Sequence, residues 1–248
     1  MLKINLLVPT RSRPKYLKEL FLNLAYTIPS FRSNHIELFL KIDEDDIETK
    51  KAISILERNE YPFNWHYISN QKSDFLNRDY YNNLSSIVAE GLLWGIADDV
   101  RFFTDDWYKS LTNKVEEYLK DKPDRIAYIS VNEEGSTAKH PCFPLITKEA
   151  FQVLGEYHCS ELLSWGSDRI LWEIYSGIGR TLHIPEISIK HLSYHDGSAP
   201  FDETAKSMKE RFFRDPECHN TVSMYTVPQN VKMIKKHIEK IKREKDMI

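Results

Sequence analysis

Short apolar runs alternate with helical periodicities over the first hundred residues of this 248-residue chain. Ile4 to Val8 is a short apolar run of the kind that forms a central parallel strand, and Pro9-Thr10-Arg11-Ser12-Arg13-Pro14 ends it. Pro14 suits a first helical turn, and Leu17, Leu20, Phe21 and Leu24 then recur at helical spacing to about Tyr26. Ile36 to Ile42 predicts a second strand, closed by Asp43-Glu44-Asp45-Asp46, and Ile47 to Arg58 a second helix. Phe63 to Ser69 predicts a third strand, Asp74 to Glu90 a helix, and Leu92 to Ala97 a fourth strand that stops at Asp98 and Asp99. Such alternation predicts an α/β domain: a mostly parallel central sheet, right-handed crossovers and helices on both faces.

The second half is less regular. Trp107 to Leu119 reads as helix, Ile126 to Val131 and Phe143 to Thr147 as strands, and Lys148 to Leu154 as a short helix closed by Gly155. Ser167 to Ser176 is expected to be a helix with Ile170, Leu171 and Ile174 inward, and Ile187 to Ile189 a final strand. The stretch from His191 to Pro200 is rich in Gly, Ser and Pro, which marks a long loop, and long loops in compact domains tend to be mobile and functional. In the tail, Val231, Ile234, Ile238 and Ile241 share one helical face, surrounded by Lys232, Lys235, Lys236, Lys240, Lys242, Arg243 and Lys245. A basic amphipathic helix of this kind either packs its stripe on its own domain or docks on anionic lipid or a partner.

Composition narrows the class. With 41% hydrophobic residues and 29% charged residues of mixed sign, the chain is a folded domain rather than a disordered one, and its length suits one large core. A net charge of -3 argues against a protein that coats nucleic acid, so no nucleic-acid partner is expected. Cys142, Cys159 and Cys218 are widely spaced, with no Cys-x-x-Cys pair, which suggests neither a disulfide framework nor a structural zinc and fits a reducing, cytoplasmic setting. The first apolar run is too short for a secretory signal, and no stretch reaches the roughly 18 apolar residues of a membrane span, so membrane contact would be peripheral.

The chemistry gathers at strand ends, where open parallel sheets bind ligands. Thr10, Arg11 and Arg13 follow the first strand, Asp43 and Asp45 the second, Asp98 and Asp99 the fourth. Arginines can grip a diphosphate through charge-assisted hydrogen bonds, an Asp can accept from a base or ribose, and paired acids can hold a divalent cation across phosphates. Singly, each residue is also an ordinary turn or surface residue; their agreement at three strand ends makes the pattern.

These residues resemble the nucleotide-sugar half of family 2 glycosyltransferases with the GT-A fold. The resemblance rests on Pro9-Thr10-Arg11-Ser12-Arg13-Pro14, an Asp after the second strand, Arg78 and Asn83 on the following helix, and the strand ending at Asp98-Asp99. It continues through Phe143-Pro-Leu-Ile-Thr-Lys-Glu-Ala-Phe151 with Leu154-Gly155, through Trp165-Gly-Ser-Asp168 with Leu171-Trp-Glu, and to His191, where the family commonly has a metal-ligating histidine. Two features depart from it: Ala97 stands where the first acid of the usual Asp-x-Asp signature falls, and Thr10-Arg11-Ser12-Arg13 replaces the commoner Thr-Tyr-Asn-Arg.

The resemblance implies a single GT-A, Rossmann-like domain over residues 1–225, with a nucleotide-sugar half (1–105), an acceptor half carrying a lid loop from His191 to Asp202 (106–225), and a C-terminal amphipathic helix (226–248). It implies metal-dependent transfer of a sugar from a nucleotide-diphosphate donor to a glycan or other hydroxyl acceptor, with inversion. Pro9, Thr10, Arg11, Arg13, Asp43, Arg78 and Asp98 are then the expected donor-binding residues, Asp99 and His191 the ligands of Mn²⁺ or Mg²⁺, and Asp168 the general base, with Glu161 in reserve. Asp168 also reads as a helix-start acid favoured by the dipole. Trp165 and Trp107 are either sugar-stacking or core, His195 and His140 are weaker metal candidates, and Asp105 and Asp106 read as caps of the helix from Trp107. Two rivals remain: a non-catalytic nucleotide- or glycan-binding module, and a nucleotidyltransferase, against which the lack of a glycine-rich phosphate loop counts.

Overall fold

In a computed structural model, which describes residues 2–28, 35–136, 140–163, 166–194, 197–214 and 216–246, one eight-stranded sheet organises the chain. The first strands and helices are β1 (Ile4–Pro9), α1 (Pro14–Thr27), β2 (Ile36–Asp43), α2 (Ile47–Leu56) and β3 (Asn64–Asn70). A π-helical turn (Asn77–Asn82) leads into α3 (Asn83–Ile87), followed by β4 (Leu92–Gly95), β5 (Val100–Phe102) and α4 (Trp107–Leu119). The second half comprises β6 (Tyr128–Glu133), β7 (Leu145–Thr147), α5 (Lys148–Leu154), α6 (Ser167–Gly177), β8 (Thr181–His191), α7 (Glu203–Arg214) and α8 (Pro216–Asp246).

The strand order is β3-β2-β1-β4-β7-β6-β8-β5. The first four strands pair in parallel, as the alternation predicts, so β1, β2 and β4 all deliver their carboxyl ends to one edge. β7 runs antiparallel to both β4 and β6, β8 is parallel to β6, and β5 folds back antiparallel on β8. Alternation along β1 splits the core in two: Ile4, Leu6 and Val8 pack with α1, α2 and α4, while Leu7 packs on the other face with α3, α5, α6 and α8. Helices therefore cover both faces.

Six elements differ from the sequence expectation. The apolar run from Leu92 does not continue to Ala97; β4 stops at Gly95, and a turn through Asp98 and Asp99 starts the unpredicted β5. Gly95 is required there, because its N–H donates to the Tyr157 hydroxyl at 2.8 Å and an added Cβ would lie 2.8 Å from the Tyr157 ring. The predicted Asp74–Glu90 helix is shorter and begins with the π-helical turn. β8 is eleven residues long, with an irregular register opposite Val131/Asn132 that hides its apolar period. Glu203–Arg214 is helical although no helix was expected, and α8 starts well before residue 226 and runs through Pro228.

In α8 the apolar stripe faces the domain, with Ile234 and Ile238 buried in the second cluster and the lysines exposed. No helix among the described residues is long and apolar enough to cross a membrane.

Candidate active site

The carboxyl edge of β1, β2 and β4 carries a network of buried acids and two arginines. Thr10 extends β1, its N–H donating to the Lys41 carbonyl at 3.0 Å, and its hydroxyl donates to Asp98 Oδ2 at 2.6 Å. Pro9 is the last β1 residue and pairs in register with Lys41. The loop after it is held by α2: Asp46, the cap of that helix, accepts from the Thr49 N–H at 3.1 Å and from the Ser12 N–H at 2.6 Å. Ser12 takes a left-handed conformation (φ 55°), which aims Arg11 and Arg13 to separate partners.

Arg11 crosses to the end of β2, donating to Asp43 at 2.7 Å and to both oxygens of Asp45 at 2.5 and 2.9 Å. That hydrogen bonding draws the Asp45 carboxyl down to about 2. The other Asp43 oxygen accepts from the Tyr80 hydroxyl at 2.6 Å, so this fully buried carboxylate has a donor on each side. Tyr80, which the sequence reading missed, comes from the π-helical turn. Arg78 of the same turn is exposed and engaged elsewhere: it pairs with Asp79 at 2.8 Å and lies 4.0 Å over the Phe75 ring, not against the strand-end acids.

Arg13 holds the centre. Its guanidinium donates to Asp99 at 2.6 Å and Asp98 at 3.3 Å, and grips both oxygens of Asp202 at 2.8 and 2.9 Å. Asp202 stands just before α7 and accepts from the Ala205 N–H at 2.8 Å, the geometry of a helix cap. The end of the predicted lid is thereby tied to the strand-end acids.

Burial and the adjacent Asp99 charge push the Asp98 carboxyl up to about 7, against the pull of Arg13 and Thr10. Burial acts on Asp99 in the same direction, but His191 and Arg13 outweigh it and its pKa falls. His191 is placed by strand pairing: Val100 faces His191 across β5 and β8, and the Leu192 N–H donates to the Asp99 carbonyl at 3.0 Å. Its Nε2 lies 3.2 Å from Asp99 Oδ1, which raises the imidazole pKa despite burial acting to lower it. The approach lacks hydrogen-bond alignment, and Asp99 Oδ1 is left buried with no hydrogen-bond donor among the described residues.

An orphaned carboxylate oxygen beside an imidazole nitrogen fits one side of a divalent-cation site. Among the described residues no group of three His, Cys, Asp or Glu side chains converges as a complete one, so further oxygens would have to come from a substrate, as is usual where a cation binds with phosphates.

Asp168 lies in the first turn of α6, after Gly166 in a left-handed N-cap conformation (φ 90°). Its Oδ2 is 3.2 Å from His140 Nε2. The buried Tyr81 hydroxyl donates to the Ile96 carbonyl at 3.2 Å, and burial above all raises its pKa, with smaller contributions from nearby negative charge that include Asp99, Asp98 and Asp168. Glu161 is exposed in a turn. Trp107 is fully buried and stacks on Phe102 at 4.6 Å, which makes it core and not a sugar platform. Asp106 occupies the N-cap position of α4 but in a left-handed conformation with no side-chain cap bond, and Asp105 is exposed, so neither side chain is seen to cap the helix. Trp165 and His195 lie outside the described residues.

No family model matches this chain, and no curated protein sequence does. Solved structures share its fold. A mannosyltransferase, PcManGT from Pyrobaculum calidifontis, in complex with GDP-Man and Mn²⁺, superposes with a TM-score of 0.61 at 12% identity over 94% of this chain and 72% of its own. S. aureus TarS 1–349 in complex with UDP gives 0.56 at 16% identity over 76% of this chain and 60% of that one. GalNAc-T7 with UDP, GalNAc and Mn²⁺ gives 0.55 at 12% identity over 92% and 59%. This chain thus spans under two thirds of the latter two. Its architecture is that of the GT-A glycosyltransferases.

Proposed function

We propose that the chain is a metal-dependent glycosyltransferase that moves a sugar from a nucleotide-diphosphate donor to an acceptor hydroxyl with inversion. One observation carries this reading: after β4, Asp99 keeps a buried oxygen that has no hydrogen-bond donor among the described residues and lies beside His191, while Arg13 spans the same acids. A cation on the first and a phosphate on the second is the pairing that a nucleotide diphosphate brings. The fold supports the reading, since its solved neighbours include complexes with GDP-Man, with UDP and with Mn²⁺.

When bound, Mn²⁺ or Mg²⁺ held by Asp99 and His191 would offset negative charge on the departing diphosphate. Arg13 turns its fork from Asp202 to the donor phosphates. Asp43, oriented by Arg11 and Tyr80, accepts hydrogen bonds from the base or ribose, and Thr10 orients Asp98 at the ribose side. Asp168 accepts the acceptor's proton as that oxygen bonds to the anomeric carbon; the carbon–oxygen bond to phosphate breaks on the opposite face, its electron pair leaving with the diphosphate. The exposed lysine face of α8 is the surface that a peripheral membrane contact in the cytoplasm would use.

Donor hydrolysis with Mn²⁺ is the first test, followed by Asp168→Asn. The variant is expected to lose at least about 100-fold in turnover, within the usual range for a general base, while donor and Mn²⁺ binding by calorimetry stay unchanged. A chain that binds donors but never turns them over, before or after the substitution, is a binding module instead.

A further inference from the structure

We propose that His140 is the positioning residue for Asp168, its Nε2–H holding Oδ2 so that Oδ1 is the oxygen left to take the acceptor's proton. This rests on the reading of Asp168 as the base. The geometry is specific. The two residues are 28 positions apart, and the contact of 3.2 Å joins the segment before β7 to the first turn of α6. Both side chains are about one-fifth exposed, at 22% and 21%, so the pair sits at a surface that a substrate can reach. Neither His140 Nδ1 nor Asp168 Oδ1 has another hydrogen-bond partner among the described residues.

The segment carrying His140 is itself anchored. Glu133, at the end of β6, accepts from the Cys142 and Phe143 N–H groups, each at 2.9 Å, which fixes the chain two residues beyond His140. The Asp168 carboxylate is thus presented with one oxygen held by His140 and the other with no partner among the described residues. Orientation of this kind governs rate steeply, since a misplacement of about 1 Å can cost on the order of 100-fold.

Charge adds a pH signature. The hydrogen bond to Asp168 raises the His140 pKa above its ordinary value, against partial burial; Arg169, next to Asp168 on α6, opposes the rise, and Glu133 on β6 adds to it. Imidazolium places a full positive charge where the proton is to arrive and opposes its transfer, whereas neutral imidazole donates from Nε2 without that charge. Turnover at saturating donor therefore falls as pH drops through the His140 ionisation, at a pH above the usual imidazole value of about 6.5.

The test uses His140→Gln and His140→Ala in the full chain, with GDP-mannose and UDP-GlcNAc hydrolysis in saturating Mn²⁺. His140→Ala should lower kcat by roughly 10- to 100-fold with donor KM unchanged. His140→Gln, whose amide N–H can replace Nε2–H, should recover most of kcat and lose the acid limb assigned to His140. Independently of turnover, the His140 ring resonances should titrate at lower pH in Asp168→Asn than in the parent. A kcat for His140→Ala within twofold of the parent, with Asp168→Asn inactive, overturns the role of His140 and leaves Asp168 standing. An active Asp168→Asn overturns the reading of Asp168 itself. Unmoved His140 resonances in that variant overturn the contact, whatever the donor proves to be.

Discussion

His158 is packed edge-on against the rings of Tyr81 and Tyr157, and burial pushes its pKa down to about 4. The unfolded chain takes up a proton near pH 6.5 that the native state refuses. Stability is therefore expected to fall as pH drops below 6.5, by up to about 1.4 kcal/mol per pH unit from this residue, with its slope ending near pH 4. His158→Asn should flatten the dependence, read as the difference between the two proteins in urea midpoint from pH 7 to pH 5; parallel curves would show that the imidazole is already charged when folded. Nothing in the sequence marks His158, because its burial arises from contacts with side chains distant in sequence. Thr10, Arg11, Arg13, Asp43, Asp98 and Asp99 are different. Each follows an apolar strand directly, so the parallel pairing that the alternation predicts is enough to bring them to one edge. Arg78 shows the limit of that logic, since the π-helical turn presents Tyr80, not Arg78, to Asp43.

Pairing between β5 and β8 explains why His191 reaches Asp99 from a position 92 residues later, and neither that pairing nor α7 could be read from periodicity. β5 is only three residues long, and only three of the eleven β8 residues are buried, so the alternating apolar signal is thin in both. The stretch after β8 is legible as a loop from its composition; its fastening to Arg13 is not, because Asp202 meets a partner 189 residues away. That fastening has a consequence for binding. The planar Arg13 fork suits either a carboxylate or a phosphate, and Asp202 uses it bidentately. A donor that recruits Arg13 must first displace Asp202. Asp202→Asn removes the competing charge while keeping a side chain able to cap α7 at Ala205. Donor affinity in Mn²⁺ should then rise roughly tenfold, in line with the loss of one charge-assisted contact, and the loop should become more sensitive to protease without donor. Weaker donor binding by the variant would instead make Asp202 part of the donor-bound site.

The two cores differ in what closes them. Beneath α1, α2 and α4 the sheet is sealed by residues close in sequence to the strands they cover, whereas the other face depends on α8, from the far end of the chain. Ile234 is almost fully buried there and Ile238 nearly so, within the cluster that also holds Ile170, Leu171 and Ile174 of α6, the helix that carries Asp168. Val231 adds to the fit: an added Cβ on Gly177 would meet its side chain at 3.2 Å. The basic amphipathic tail thus lays its apolar stripe on the face of the sheet that carries α6, with its lysines outward. If α8 belongs to the same cooperative unit as the sheet, a cavity at Ile234 must weaken the whole. Ile234→Ala is expected to cost about 2–5 kcal/mol, lowering the urea midpoint without dividing the transition. Donor binding by the folded fraction should be nearly unchanged, since the proposed donor site lies at the ends of β1, β2 and β4, while turnover falls as the seating of α6 loosens. Two separate transitions, the first with donor binding intact, would mean instead that α8 docks as an independent element and that the positioning of Asp168 does not require it.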